Sequence, residues 1–229
     1  METVARIRAA RWADKYPVAA LIADALQPSP LAAWLVPDPQ QRRRVLTDVA
    51  AIWVEHAMFF GDIHLTDDLT ATIVGFHRYR PIPPPANYRS RLTDAVGAHI
   101  DRFVLLDTLL SGKQPSEPHY HMAFLAVRPD VRMVGRGAAL LVHHRRRLDR
   151  IDVPSRAVVL PGGEHLLARY GYTPRPPIVL PDGPTLFPVR RNARRSSSAM
   201  PINSTAWSTT AGRAFMCSPK GLVTKQGDR

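Results

Sequence analysis

The feature that most constrains the fold is a segment in which a strand pattern, a short turn and a helix pattern follow one another directly. Residues 119–127 read HYHMAFLAV, a run too apolar at its end for a surface strand. A turn at Pro129 and two glycines, Gly135 and Gly137, come next, and apolar residues then recur at helical spacing over residues 138–150. The segment therefore predicts a central strand joined to a helix whose first turn carries glycine.

Strand and helix patterns are mixed along residues 1–190, which we take as one domain. Alternating or apolar runs predict strands at residues 4–8, 63–65, 69–77, 156–160 and 185–190. Apolar residues at helical spacing predict helices at residues 14–26, 40–58, 92–109 and 164–170. The proline-rich run RPIPPPANY at residues 80–88 is typical of a connecting loop. This order predicts an α/β or α+β fold with a mixed sheet.

Half of the net basic charge lies in the last part of the chain. The formal net charge is +12, and residues 191–229 contain seven Lys or Arg against one acidic residue. This segment has no sustained hydrophobic period, so we predict a disordered or poorly ordered basic tail. Because a basic surface attracts phosphate, one hypothesis is a nucleic-acid-associated protein that acts through the tail. A bias towards Arg, Ala and Pro also follows from GC-rich coding, and we do not expect nucleic acid as the partner.

The cysteine content and the apolar runs bear on compartment and metal chemistry. Cys217 is the only cysteine, which leaves no internal disulfide and no cysteine-based metal cluster. The start, METVARIRAA, lacks the apolar core of a secretion signal. The most apolar window, residues 50–60, is too short to span a bilayer and is interrupted by Glu55 and His56. We therefore expect a cytoplasmic protein with no membrane partner.

The spacing around the two glycines argues against a dinucleotide-binding turn. A dinucleotide-binding fingerprint needs a third glycine and a turn directly out of the strand. Here Leu140 stands at the third position, and seven residues separate Val127 from Gly135. The remaining readings are a turn that merely opens a helix and an anion-binding helix start, where unpaired backbone N–H groups meet a partial positive charge.

The run RMVGRG at residues 132–137 resembles motif A of the GNAT N-acetyltransferase superfamily, R/Q-x-x-G-x-G/A. The runs LLARYGY and LPDGPTLFPVRR are similar to the closing strands of bacterial members. The resemblance covers residues 3–190 loosely and residues 119–190 well. It implies a mixed, mostly antiparallel central sheet flanked by helices, with a splayed strand pair at the acyl-CoA site. It also implies acetyl-CoA as co-substrate, and we expect no metal.

The resemblance assigns the donor site to the end of the strand and the start of the helix. The strand would pair with the pantetheine arm, and a backbone N–H near Leu125 or Ala126 would stabilise the thioester oxygen as charge develops. The amides from Val134 to Ala138 would hold the pyrophosphate, and two arginines would add cationic contacts. The expected acetyl-CoA-binding residues are Leu125, Ala126, Val127, Arg132, Val134, Gly135, Arg136, Gly137 and Ala138.

The proton-transfer groups are less completely specified. Some members of the resembling superfamily carry a glutamate base where this chain has His121, whose imidazole could accept the amine proton directly or through water. The alternative is a histidine that is only hydrogen-bonded at the strand rim. The resemblance aligns the usual acid, a tyrosine, with Leu167, and an asparagine often found three residues earlier with Glu164. Tyr170 or Tyr172 would then act as the acid, water would protonate the thiolate, or the protein would be weak or inactive.

The run HHRRR at residues 143–147 lies on the predicted helix after the glycines. Adjacent histidines point about 100° apart on a helix and do not form a two-ligand metal site. The arginines are therefore expected on a solvated basic face, with contact to the adenosine 3′-phosphate as the alternative.

These features lead to one principal hypothesis and two alternatives. We expect an N-acetyltransferase in which a primary amine attacks acetyl-CoA directly in a ternary complex, since Cys217 lies in the tail. The alternatives are a non-catalytic acyl-CoA-binding protein and the nucleic-acid-associated protein described above. The acceptor, a small-molecule or peptide amine, has no diagnostic pattern in the sequence, and either a monomer or a homodimer is expected.

Overall fold

A mixed sheet with helices on both faces forms the centre of the molecule. The computed structural model describes residues 6–112, 117–131 and 135–194. The predicted fold class, a mixed and mostly antiparallel central sheet flanked by helices, is confirmed. The strands are β1 (Ile7–Ala9), β2 (Gly61–Thr66), β3 (Ala71–Arg78), β4 (His119–Val127), β5 (Ser155–Val159), β6 (Thr173–Pro174), β7 (Ile178–Val179) and β8 (Thr185–Arg191).

The strands are arranged in the order β1-β2-β3-β4-β5-β8-β6, and β7 pairs with the beginning of β8. Among the described strands, every neighbouring pair is antiparallel except β4 and β5, which run parallel. β4 is therefore central, as its apolar end predicts, and it joins an antiparallel half-sheet to the strands that follow.

Two prolines and their preceding caps set the starts of neighbouring helices. The helices are α1 (Lys15–Leu26), α2 (Pro30–Leu35), α3 (Pro39–Phe60), α4 (Tyr88–Val96), α5 (Ile100–Ser111), α6 (Arg136–Ile151) and α7 (Gly163–Ala168). Ser29 Oγ accepts a hydrogen bond from the backbone of Ala32 at the start of α2. Asp38 Oδ1 accepts one from the backbone of Gln40 at the start of α3. In both helices proline occupies the first position, where no backbone donor is needed.

The helices divide the core into three clusters. α1 and α3 cover one face of β2, β3 and β4, and α6 covers the other face with buried leucines. α2, α3, α4 and α5 pack together with β7 and β8 in a third cluster around Trp34, Leu92 and Phe103. This arrangement leaves the end of β4 between the α1–α3 layer and α6.

The structure differs from the sequence expectations at several places, and the two-residue strands β6 and β7 were not predicted. The helix predicted over residues 92–109 is two helices, because Gly97 adopts a φ of +54°, which breaks the helix and favours glycine. The six-residue α2, enclosed between prolines, was not predicted. β8 extends to Arg191, whose guanidinium pairs with Asp149, so the first residue assigned to the tail belongs to the sheet. Residues 195–229 of the predicted tail lie outside the described residues.

Candidate functional site

The parallel strands β4 and β5 separate after a short paired stretch. Tyr120, His121 and Met122 pair with Ser155, Arg156 and Ala157. Beyond Met122, β4 stays paired with β3 up to Val127, while β5 stays paired with β8 up to Val159. One backbone edge of β4 is therefore left without a strand partner over residues 123–127, and the splayed pair that the resemblance implies is present.

A β-bulge marks the point of separation. Val74 of β3 lies opposite Phe124, and Gly75 lies opposite Met122, so Ala123 has no partner of its own in this register. As a result Ala123 and Phe124 both contact the core cluster formed by α1, α3 and the sheet. Strict alternation along the strand would place one of them on the opposite face. The bulge therefore re-aims the end of β4 and exposes backbone groups at the same place.

A cavity of about 430 Å³ opens from the splayed strands towards α5. Its walls are mostly apolar and come from α1, α2, α3, α5, β4 and β5. Leu125 and Ala126, two residues expected at the donor site, line it. Its ionisable side chains are Arg78, Tyr88, Asp107 and His121.

His121, the expected base, lies on the wall of this cavity. Its register partners are Phe76 on β3 and Arg156 on β5, which place it just before the bulge. Burial, followed by the charges of Arg78 and His119, lowers the pKa of His121 to about 3. The imidazole is therefore neutral at pH 7 and has a free-base form to offer an amine.

The two tyrosines expected as acids are not brought to the cavity. Tyr172 is buried in the cluster beneath α6, where its hydroxyl lies 2.7 Å from Ser155 Oγ. Burial raises the pKa of Tyr172 to about 12, although the Ser155 hydrogen bond opposes this. Tyr170 packs against the same cluster. Leu167, at the position of the usual tyrosine, does line the cavity and is almost fully buried.

The start of α6 lies beside the end of β4. Gly135 precedes the helix with a φ of +76°, a conformation that favours glycine, and a Cβ atom there would meet no atom within 4 Å. A Cβ atom at Gly137 would lie 3.1 Å from a Val127 methyl, so glycine permits the close approach of helix and strand. Arg136 forms an ion pair of 2.9 Å with Asp68. Arg132 and Val134 lie outside the described residues.

The expectation of a solvated face for the arginines at residues 143–147 is wrong for Arg147, and His144 in the same run is buried as well. His144 is buried against the ring of Tyr120, and Arg147 donates to Asp62 Oδ2 at 2.7 Å. The reason is that this face of α6 lies on the sheet above a buried carboxylate. Burial would raise the pKa of Asp62, but hydrogen bonds from His77, Tyr120 and Arg147 hold it well below its usual range.

Sequence reasoning missed Asp107, which lines the cavity from α5. Tyr88 donates a hydrogen bond of 2.6 Å to Asp107 Oδ2. Burial raises the pKa of Asp107 to about 6, and the Tyr88 hydrogen bond opposes this only in part. The signal in the sequence is the lone acidic residue in the otherwise apolar run VLLDTLL, residues 104–110.

Solved structures with similar architecture identify the fold. A Corynebacterium glutamicum protein described as histone acetyltransferase HPA2 and related acetyltransferase superposes with a TM-score of 0.64 at 20% identity, covering 88% of this chain and 100% of that chain. A putative acetyltransferase of the GNAT family from Desulfovibrio desulfuricans gives a TM-score of 0.50 at 13% identity, covering 82% and 99%. The chain has the GNAT fold. Arylalkylamine N-acetyltransferase 2 from Aedes aegypti shares the GNAT fold with a TM-score of 0.55 at 12% identity, covering 83% and 99%.

In contrast to the structural comparisons, the sequence comparisons find no significant match: no protein-family model and no curated protein matches the chain. Within the described ranges, no helix combines the length and apolar character needed to cross a membrane. In that same part of the chain, no group of three or more His, Cys, Asp or Glu side chains is arranged to hold a metal ion.

Proposed function

We propose that the protein is an N-acetyltransferase that transfers an acetyl group from acetyl-CoA to a primary amine by direct attack in a ternary complex. The observation that carries this proposal is the separation of β4 from β5 at a bulge, with the start of α6 beside the freed strand. The GNAT fold supports it. In the described part of the chain there is no cysteine, so no thiol is available there for a covalent intermediate.

The freed edge of β4 and the start of α6 would bind the donor. The backbone edge of residues 123–127 offers hydrogen-bonding groups to an extended amide-containing arm, as an added strand would use them. A backbone N–H near Leu125 or Ala126 would donate to an oxygen that gains negative charge. The first turn of α6 at Gly135 and Gly137 would hold phosphate oxygens through its unpaired N–H groups. Arg136 would bind a phosphate only if its guanidinium contacts the phosphate together with Asp68 or leaves the Asp68 ion pair.

The chemistry needs one proton acceptor and one proton donor. When bound, acetyl-CoA supplies an activated thioester whose C–S bond breaks as the amine forms a C–N bond. His121 would accept the amine proton, directly or through water. Burial keeps its imidazole neutral but also makes it a weak base, so the proton would be transferred once the C–N bond forms and the nitrogen becomes acidic. Because neither Tyr170 nor Tyr172 lines the cavity, we assign protonation of the thiolate to water.

The donor site is tested by isothermal titration calorimetry with acetyl-CoA on Gly135→Glu and Gly135→Lys. Both substitutions strain the same positive φ and point into open space, so they share any folding cost and differ in charge. A carboxylate at a helix start repels phosphate, so Gly135→Glu should weaken binding about tenfold or more, whereas Gly135→Lys should retain it. Equal affinities of the two variants would sink the phosphate-binding model.

A second candidate function is a non-catalytic acyl-CoA binder. Leu167, which cannot donate a proton, occupies the cavity wall where the resembling superfamily carries a tyrosine. This candidate predicts acetyl-CoA binding without release of coenzyme A against a broad panel of amines. Release of coenzyme A with any primary amine, lost in His121→Ala while binding persists, eliminates it.

A further inference from the structure

Asp107 is a carboxylate at the α5 end of an otherwise largely apolar cavity. Among the residues that the structure describes, it forms no ion pair. Its Oδ2 accepts the Tyr88 hydrogen bond, and within the same described ranges its Oδ1 accepts none. Burial of a carboxylate without a cation is unfavourable, so the group is suited to a cationic ligand.

A chain of aromatic contacts connects Asp107 to the strand end where transfer is proposed. His121 is the register partner of Phe76. The ring of Phe76 lies 6.1 Å from Trp53, and Trp53 lies 5.3 Å from Tyr88, the residue that binds Asp107. The side chains that connect the two polar positions are aromatic and line the cavity, so a ligand that reaches both positions needs an apolar middle.

A positive charge acts on His121, whereas Asp107 is itself acidic. Burial lowers the pKa of His121, and the charge of Arg78 lowers it further and so disfavours a second cation beside it. An amine at that position is favoured in its neutral, nucleophilic form. At the other end, a charged amine would donate to Asp107 Oδ1 while Tyr88 holds Oδ2.

From these contacts we propose that the acceptor is an apolar diamine, with one amine reacting beside His121 and the second, charged amine bound by Asp107. This inference rests on the proposed acetyl transfer and adds the substrate class to it. The reacting amine loses one proton to His121 or water, the new C–N bond replaces the C–S bond, and the distal ammonium is unchanged. Asp107 is thus a specificity-determining residue that does not touch the reacting atoms.

The test compares diaminoalkanes of increasing length with n-alkylamines of the same length. Coenzyme A release is followed for the wild type, for Asp107→Asn, and for Asp101→Asn as the matched control. Asp101 is an exposed carboxylate on the same helix. The wild type should prefer diamines, and Asp107→Asn should lower kcat/KM for diamines by about 10- to 100-fold without lowering kcat/KM for monoamines. Asp101→Asn should behave as the wild type.

Calorimetry with a diamine alone makes the result independent of turnover. Diamine should bind the wild type and Asp101→Asn more tightly than Asp107→Asn, even if acetyl-CoA proves not to bind. Failure of acetyl-CoA binding with intact diamine binding overturns the proposed transfer and leaves the diamine site standing. Equal losses for monoamines and diamines in Asp107→Asn, or a wild-type preference for monoamines, overturn the diamine inference itself.

Discussion

Gly75 of β3 lies directly beneath the ring of Tyr120 of β4, and a Cβ atom at Gly75 would fall 2.1 Å from the Tyr120 hydroxyl oxygen. The ring passes over the glycine, and the Tyr120 hydroxyl donates a hydrogen bond of 2.5 Å to Asp62 Oδ1. The bulge that parts β4 from β5 lies opposite this same glycine. The small residue therefore permits both the buried hydrogen bond and the local shape of β4.

Gly75→Ala should destabilise the protein because the added methyl overlaps a ring that is fully buried. We expect a loss of about 1–3 kcal/mol in the free energy of unfolding, measured by urea denaturation. Gly112→Ala is the control, since a Cβ atom there meets its nearest neighbour at an ordinary 3.5 Å. Comparable effects of the two substitutions would show that Gly75 is not spatially constrained.

Asp62→Asn should be strongly destabilising at neutral pH. It leaves Arg147 without its carboxylate partner in a largely buried cluster, for which a loss of about 3–5 kcal/mol is typical. The folded pKa of Asp62 is depressed, so its stabilisation is present above the ordinary carboxyl pKa and is lost as the pH falls towards the folded value. The gap in unfolding free energy between wild type and variant should therefore narrow at pH values below about 4. A gap that is constant with pH contradicts this assignment.

For Asp107 the pH dependence of the unfolding free energy should have the opposite sign to that for Asp62, when measured in the ligand-free protein against the Asp107→Asn variant. The pKa of Asp107 is raised from 3.8 to about 6, so its contribution is most favourable below the unfolded pKa and is lost as the pH rises through about 6. Relative to the variant, the wild type should lose up to about 3 kcal/mol between pH 4 and pH 7. Urea denaturation at these two pH values measures the difference, and the exposed Asp101→Asn variant should show no such pH dependence.

His121→Ala should lower kcat by about 100-fold and leave the affinity for acetyl-CoA unchanged, as expected for loss of a proton acceptor. Because the pKa of His121 is lowered to about 3, the rate profile of the wild type should show no inflection near the ordinary histidine pKa, about 6.5. His165→Ala, at an exposed position, is the control. If His121→Ala keeps the wild-type kcat, His121 lines the cavity but does not take part in proton transfer.

The sequence predicts the elements that follow from local pattern and misses those that depend on register. Residues 119–127 form the predicted central strand, because apolar content and length are local properties. The bulge at Ala123 was not predictable, since it arises from the pairing of β4 with β3, almost fifty residues earlier in the chain. Asp107 was hidden for a similar reason: a single carboxylate in an apolar helix is exposed or buried according to the tertiary packing of that helix.

The glycines at the start of α6 and the charge run on the same helix differ in how far the sequence predicts their positions. The spacing of Gly135 and Gly137 predicts a helix start, and α6 begins there. The roles of His144 and Arg147 depend on which helix face meets the sheet, and the charge run alone favoured the wrong face.

Only three residue pairs join β4 to β5 in the described sheet, so the sheet is weakly connected at this point. On one side β2, β3 and β4 are held by long antiparallel ladders, and on the other side β5 is held by five paired residues of β8. A sheet joined by so few cross-links transmits little restoring force between its halves, so thermal breathing should concentrate along this line. Amide hydrogens on the freed edge of β4 should then exchange with deuterium sooner than those bonded to β3. The fastest exchange within the central strands would thus mark the line where β4 and β5 separate.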